Sequence, residues 1–221
     1  MRRIIGSVFQ SLDGVMQAPG GPNEDWTGGF EHGGWLWPLG DDATDAWISK
    51  LFGGAYDLLL GRKTYEIFAA YWPYADAEHP IARGFNACAK YVLTRGDDPL
   101  EWENSRRLAD VDAVTALKNG DGPDLIIQGS STLYPTLLAA GLLDRLTILT
   151  YPLVLGSGKR VFGPNTPPRT LELVGHTVSP KGTIIAHYEP KGAVETGSFV
   201  AIEPSTREKA RQERMKREGA P

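Results

Sequence analysis

The chain has 221 residues, of which 41% are hydrophobic, 10% aromatic and 23% charged, values that allow a sizeable buried core and exclude disorder for the bulk of it. A formal net charge of -4 at pH 7, with no basic stripe through the body, gives no general attraction to phosphate backbones and argues against nucleic acid as a partner. The lone Cys88 has no intramolecular mate, which suits a reducing compartment. The apolar run 4–9 behind Arg2 and Arg3 is too short for a signal core or a membrane span, so a cytoplasmic protein without membrane attachment is expected.

Residues 4–10 are rich in β-branched side chains and run into Ser11-Leu12-Asp13-Gly14, which predicts a buried strand feeding a turn. Residues 16–40 are crowded with glycine, proline and tryptophan without any period, the mark of a long surface excursion. Over 41–53 an apolar face at Ala43, Trp47, Ile48 and Leu51, with acids at its start, predicts a helix ended by Gly53-Gly54. A strand over 56–60 then passes through Gly61 into a helix over 62–70, broken by Pro73. Further on, the pattern predicts a strand over 91–95, a helix over 111–118, a strand over 124–128, a helix over 131–140 and a strand over 146–151.

Strands alternating with helices imply an α/β fold, with a largely parallel sheet covered on both faces. The last third breaks the alternation: 171–176, 183–189 and 194–202 read as strands without helices between them, so an antiparallel C-terminal edge is expected. No linker divides the chain, and 1–203 reads as one domain. Residues 204–221 form a polar, basic tail, with Arg207, Lys209, Arg211, Arg214, Lys216 and Arg217 against only Glu208, Glu213 and Glu218. A solvated, fraying helix is expected there.

Three strand ends share a chemical theme at what would be the carboxyl edge of the sheet, where ligands bind in open α/β folds. Gly61-Arg62-Lys63-Thr64 sets two cations and a hydroxyl at a helix start, whose free amides already favour anions. Thr94-Arg95 closes a strand with a donor and a guanidinium, and Gly129-Ser130-Ser131-Thr132 is a small, hydroxylic strand-to-helix turn suited to cradling phosphate. Each alone could be an ordinary connection. In this order they supply cations and backbone donors for a dinucleotide carrying an extra 2′-phosphate. The first strand is not followed by a Gly-x-Gly-x-x-Gly turn, which disfavours a standard dinucleotide dehydrogenase. His32, His79, His176 and His187 share no ligand spacing, so no metal site is expected. The serines lack a nucleophile-elbow context, and the deaminase zinc signature is absent.

Five segments, Ser11-Leu12-Asp13-Gly14-Val15, Leu58 through Glu66, Tyr91 through Arg95, Gln128-Gly129-Ser130-Ser131-Thr132-Leu133 and Pro152 through Gly156, resemble the dihydrofolate reductase superfamily in the family's own order. The nearest branch is the reductase domain of the bifunctional riboflavin-biosynthesis deaminase/reductase, and the likeness covers about residues 3–189. It implies a three-layer αβα, dihydrofolate reductase-like fold and an NADPH-dependent reductase of a small planar heterocycle or a related C=N or C=O substrate, usually a homodimer. It also implies that Gly14 and Val15 lie beside the nicotinamide. Gly61, Arg62, Lys63, Thr64, Thr94 and Arg95 would meet the adenosine phosphate and pyrophosphate, and the turn from Gly129 to Leu133 would lie along the pyrophosphate. The branch often has a second glycine where this chain has Ser130.

Counted back from Gly61, Asp45 falls where dihydrofolate reductases carry an active-site carboxylate. It would be the proton source, unless it is merely a favourable first-turn charge. Trp26, Trp35 and Trp37 would form an aromatic wall for a substrate, or else pin the glycine-rich loop to the body. The rival to the reductase is a non-catalytic, dimeric NADP-binding module that kept the cofactor turns and lost the substrate side.

Overall fold

The structure, a computed structural model, describes residues 1–163 and 166–219. Its strands are β1 (Ile4–Ser11), β2 (Tyr56–Gly61), β3 (Lys90–Leu93), β4 (Ser105–Leu108), β5 (Asp124–Gln128), β6 (Arg145–Tyr151), β7 (Thr170–Val178) and β8 (Ile184–Gly192). Its helices are α1 (Asp42–Leu51), α2 (Arg62–Ala69), α3 (Pro80–Ala87), α4 (Val111–Asn119), α5 (Leu133–Ala139) and α6 (Thr206–Glu218). The described strands join one sheet in the order β4-β3-β2-β5-β1-β6-β8-β7. The pairs from β4 to β6 are parallel, and β8 runs antiparallel to both neighbours. This is the mixed α/β sheet with an antiparallel edge that the alternation implied.

Period-two burial divides the helices between the two faces. Leu58, Leu60, Val92 and Ile126 pack with Tyr65 of α2 and Phe85 of α3 on one face. Leu59, Leu125 and Ile127 pack with Val114 of α4 and Leu133, Tyr134 and Leu137 of α5 on the other. Helix α1 lies on the α2 side, where Trp47 joins Leu149, Tyr151 and Ile185. Connections from β1 and β5 therefore leave for opposite faces, and the crevice between their carboxyl ends is the place where such a sheet receives a ligand.

Arg2 is 2% exposed and pairs with Asp57, which also accepts the Ala89 amide at 3.0 Å. Arg2, which precedes the apolar run 4–9, thus clamps the start of β1 to β2. Helix α3 and strand β4 went unforeseen: α3 is short and interrupted by Gly84, and β4 carries exposed Arg106 and Arg107 at the sheet edge. The strand expected over 91–95 ends at Leu93, leaving Thr94 and Arg95 just beyond it. The strand expected over 194–202 does not form: those residues have no ladder partners. The polar tail does form a helix, α6, started by the Ser205 side chain on the Glu208 amide, and it buries nothing; residues 220–221 of that tail lie outside the described residues. No described helix is long and apolar enough to cross a membrane, and no cluster of metal-ligating side chains occurs among the described residues.

Candidate active site

Two helix starts lie side by side because β2 and β5 are neighbours. Gly61 ends β2 and precedes α2; Gly129 and Ser130 follow β5 and lead to α5. The Gly61 amide donates to Ser130 Oγ at 3.0 Å, and the Ser130 amide donates to Thr64 Oγ1 at 3.1 Å. The two turns are thus one hydrogen-bonded unit. Gly129 (φ 75°) and Ser130 (φ 58°) are both left-handed. A side chain on Gly129 would also press on Thr64 Cγ2 at 3.4 Å. Ser130 stands in a conformation that glycine favours, which explains why the related branch can use glycine there; its hydroxyl compensates by holding the Gly61 amide. Neither α2 nor α5 has a side-chain cap; the first amide of α5, Leu133, donates to the Ser130 carbonyl at 2.9 Å, which leaves the start of α2 as the one whose amides are open to an anion. Ser131 is half-buried and Thr132 exposed at the mouth of this unit, while Leu133 turns into the core.

The cations divide into two kinds. Arg62 is tied to Glu66 at 2.7 Å and donates to the carbonyls of Asp98 and Pro99 at 3.1 and 3.2 Å. The Glu66 carboxylate raises its pKa further. Its guanidinium therefore braces the loop after β3 and is already engaged. Lys63 and Arg95 are exposed and form no ion pair among the described residues. Thr94 folds onto its own loop, accepting the Gly96 amide at 3.2 Å.

At the end of β1, Gly14 takes the left-handed conformation (φ 81°) and its amide closes the turn on the Ser11 carbonyl at 2.9 Å. Asp13 accepts the Ser11 hydroxyl at 2.6 Å and the amides of Leu155 and Gly156 at 3.0 and 2.8 Å. These donors, the Ser11 hydroxyl foremost, lower its pKa to about 2. The segments 11–15 and 152–156, far apart in sequence, are therefore one knot, with Val15 fully buried beneath it.

Asp41 is the cap of α1, accepting the Thr44 amide at 3.0 Å and the Lys181 amide at 3.1 Å. The Ser179 hydroxyl is the chief cause of its pKa falling to about 2. The first-turn side chain that faces the sheet is Thr44, 1% exposed, whereas Asp45 is exposed. A count from Gly61 carries no helical phase; position 45 stands on the exposed side of α1, near enough for its charge to add to the effect of burial in raising the Tyr151 pKa. Trp35 is buried, donates to the Gln17 carbonyl at 2.8 Å and meets Tyr151 edge-on with centroids 5.6 Å apart. It pins the loop and cannot wall an open pocket; Trp26 and Trp37 stand 64% and 88% exposed.

A row of polar residues crosses the sheet on the α1 face and went unnoticed in the sequence. Ser7 of β1 is in register with Gln128 of β5 on one side and with Thr147 of β6 on the other. Thr147 is in register with His187 of β8, and Thr147 Oγ1 lies 2.9 Å from His187 Nδ1. Trp47 stacks on the His187 ring. Burial, with Arg145 and Lys50 nearby, lowers the His187 pKa. At the other end of the row, Ser7 Oγ and Gln128 Oε1 are shut from solvent without a hydrogen-bond partner among the described residues. The signal was present in sequence as two polar residues at inward positions of otherwise apolar strands.

The description "RibD C-terminal domain" fits residues 2–185 of the chain. The uncharacterized protein YyaP of Bacillus subtilis (strain 168) is 26% identical over 168 residues, covering 73% of this chain and 80% of that protein. A putative riboflavin biosynthesis protein from Shewanella sp. PV-4 superposes with a TM-score of 0.62 at 20% identity, over 86% of this chain and 99% of its own. Dihydrofolate reductase from Enterococcus faecalis, solved with NADP(H) and RAB-propyl, superposes with a TM-score of 0.52 at 15% identity, over 85% and 96%. At these identities the structural likenesses speak for the fold alone. The family match spans most of the chain and carries the conclusion: this chain belongs to the RibD C-terminal domain family, a reductase-type domain on the dihydrofolate reductase fold.

Proposed function

We propose that the chain is an NADPH-dependent reductase that delivers hydride to a small planar heterocycle or a related C=N or C=O compound. The observation that carries this reading is the pair Ser7 Oγ and Gln128 Oε1, buried and unpartnered side by side on β1 and β5. An unmet buried polar atom costs about 1–3 kcal/mol, and a site that retains two adjacent ones is suited to a ligand that brings the partners. The start of α2, set by the fused turns at Gly61 and Gly129–Ser130, would hold a pyrophosphate on its uncapped first amides. Lys63 and Arg95 would meet a 2′-phosphate with charge-assisted contacts, and Gly14 would line the nicotinamide, with Val15 buried beneath it and unable to touch the ring. Bound there, the dihydronicotinamide supplies the hydride; the residues of the crevice orient the acceptor and exclude water.

The exposure of Asp45 favours a second reading, a non-catalytic NADP-binding module, because no buried carboxylate of α1 faces the crevice. Titration with NADPH and NADH, followed by turnover with pterin, pyrimidine and quinonoid compounds, separates the two. A reductase consumes NADPH with at least one class, and Ser7→Ala and Gln128→Ala lower that turnover while leaving thermal stability unchanged or higher. Tight NADPH binding without turnover across the panel assigns the module. Absence of binding to either dinucleotide rejects both readings.

A further inference from the structure

The polar row on the α1 face continues past the pair on which the reductase reading rests. Thr147 is 2% exposed and shares its face of β6 with Leu149 and Tyr151, while His187 shares its face of β8 with Ile185. Leu149, Tyr151 and Ile185 cluster with Trp47 of α1. Strand alternation therefore sets Ser7, Thr147 and His187 in line on that face, each about one strand spacing of 4.8 Å from the next. Thr147 Oγ1 is the middle of the line, with His187 Nδ1 at 2.9 Å on one side and the unpartnered Ser7 hydroxyl on the other.

A hydride transfer to C=N or C=O also needs a proton, and the acids that β1, β2, β5, β6 and β8 present on this face are poor sources. Asp124, at the amino end of β5, accepts the Arg3 amide at 3.0 Å. Glu189 accepts from Arg145 Nε at 3.0 Å and lies 3.7 Å from the Arg3 guanidinium. Burial pushes the phenols of Tyr56 and Tyr151 up, so neither releases a proton readily. Asp45 of α1 is exposed. His187 differs from all of these. Its ring is half-buried, stacked on Trp47 with centroids 6.3 Å apart, and so stays within reach of solvent. Burial first, then Arg145 of β6 and Lys50 of α1, hold its pKa below the ordinary 6.5. Glu189 stands two residues along its own strand, and β7 sets the uncharged Gly175 opposite it. A proton on this ring is one that the surroundings release easily.

We propose that His187 is the proton reservoir of the reductase and that Thr147 is the hydroxyl through which the proton reaches the acceptor. This rests on the reductase reading above. An imidazolium Nδ1 can only donate, so when His187 is charged Thr147 Oγ1 accepts from the ring and turns its own single hydrogen away from it, toward the Ser7 side of the row. As hydride from a dihydronicotinamide joins the acceptor carbon, the π pair of the C=N or C=O bond moves onto nitrogen or oxygen. That atom takes the Thr147 hydroxyl hydrogen, Thr147 Oγ1 takes the Nδ1 proton, and the ring is left neutral with its hydrogen on Nε2. Each reduced bond consumes one hydride and one proton, and His187 regains its proton from solvent. Thr147 is the catalytic residue here, and His187 acts through it.

The test compares wild type with His187→Gln, Thr147→Val and Thr147→Ser in three measurements: NADPH affinity, turnover against pH with an acceptor that wild type reduces, and NMR titration of the His187 ring without cofactor. Wild-type turnover should fall tenfold per pH unit above the pKa that NMR reports for His187. His187→Gln and Thr147→Val should lower turnover about 100-fold and lose that limb, with NADPH affinity unchanged, and Thr147→Ser should keep both rate and limb. In Thr147→Val the ring should titrate at lower pH, because its charged form has lost an acceptor. A ring that titrates alike in wild type and Thr147→Val overturns the relay alone, whatever the turnover. So does turnover in His187→Gln or Thr147→Val that keeps the wild-type rate and pH limb, or a limb displaced from the NMR pKa. A wild type that binds NADPH and reduces no acceptor overturns the reductase reading, and this proposal falls with it.

Discussion

Replacing Ser130 tests whether the cofactor turn is held as the geometry implies. In Ser130→Ala the Gly61 amide loses its acceptor at 3.0 Å while the backbone stays left-handed, so the full penalty of about 1–3 kcal/mol for an unmet buried donor applies. For a chain of this size each kcal/mol moves the melting temperature by roughly 2–4 °C. In Ser130→Gly the same bond is lost, but the left-handed strain on a residue with φ 58°, worth roughly 1–2 kcal/mol, is relieved. The greater freedom of glycine in the unfolded chain takes back roughly 0.5–1 kcal/mol. The expected order of stability is therefore wild type, then glycine, then alanine, read by urea denaturation with unchanged m-values. An alanine variant as stable as wild type, or a glycine variant below alanine, refutes the account of this turn.

The other predictions draw on separate parts of the molecule. Asp57→Ala strands Arg2 in the core and should cost about 3–5 kcal/mol, measured by the same denaturation. Arg95→Ala should weaken NADPH binding and leave NADH binding alone, seen by fluorescence titration; equal losses for both cofactors would remove Arg95 from the 2′-phosphate. Asp45→Asn should keep turnover within about twofold of wild type, because the exposed carboxylate is not positioned for the roughly 100-fold or larger contribution of a general acid. Stability should respond to acid in two stages. His187 has a lowered pKa in the fold, so its contribution is complete above the ordinary value of 6.5 and falls as pH drops below it. Asp13 and Asp41, both lowered to about 2 from 3.8, contribute above the ordinary value and lose that contribution between the two. His187→Gln should flatten only the first stage in melting curves recorded against pH.

Local chemistry was readable wherever one short segment settles its own geometry. The glycine that lets β2 enter α2, and the small residues between β5 and α5, announced a pair of helix starts, and the sheet makes them neighbours. What sequence could not give was the consequence of neighbourhood: Ser130 accepts from Gly61 across 69 positions, and that partner is chosen by strand order. Arg62 shows the same limit from the other side. The motif places it at the helix start, but Glu66 one turn on and the carbonyls at 98 and 99 claim its guanidinium.

Position 45 and residues 194–202 mark two different limits of a reading along the chain. Helical phase alone decides that Thr44 enters the sheet-facing side of α1 while Asp45 leaves it, and a gapless count along the chain carries no phase. Residues 194–202, in contrast, have the composition of a strand and lack only something to pair with. A strand is stable through its neighbour's backbone, so a strand-like composition forms no ladder where no neighbour stands beside it.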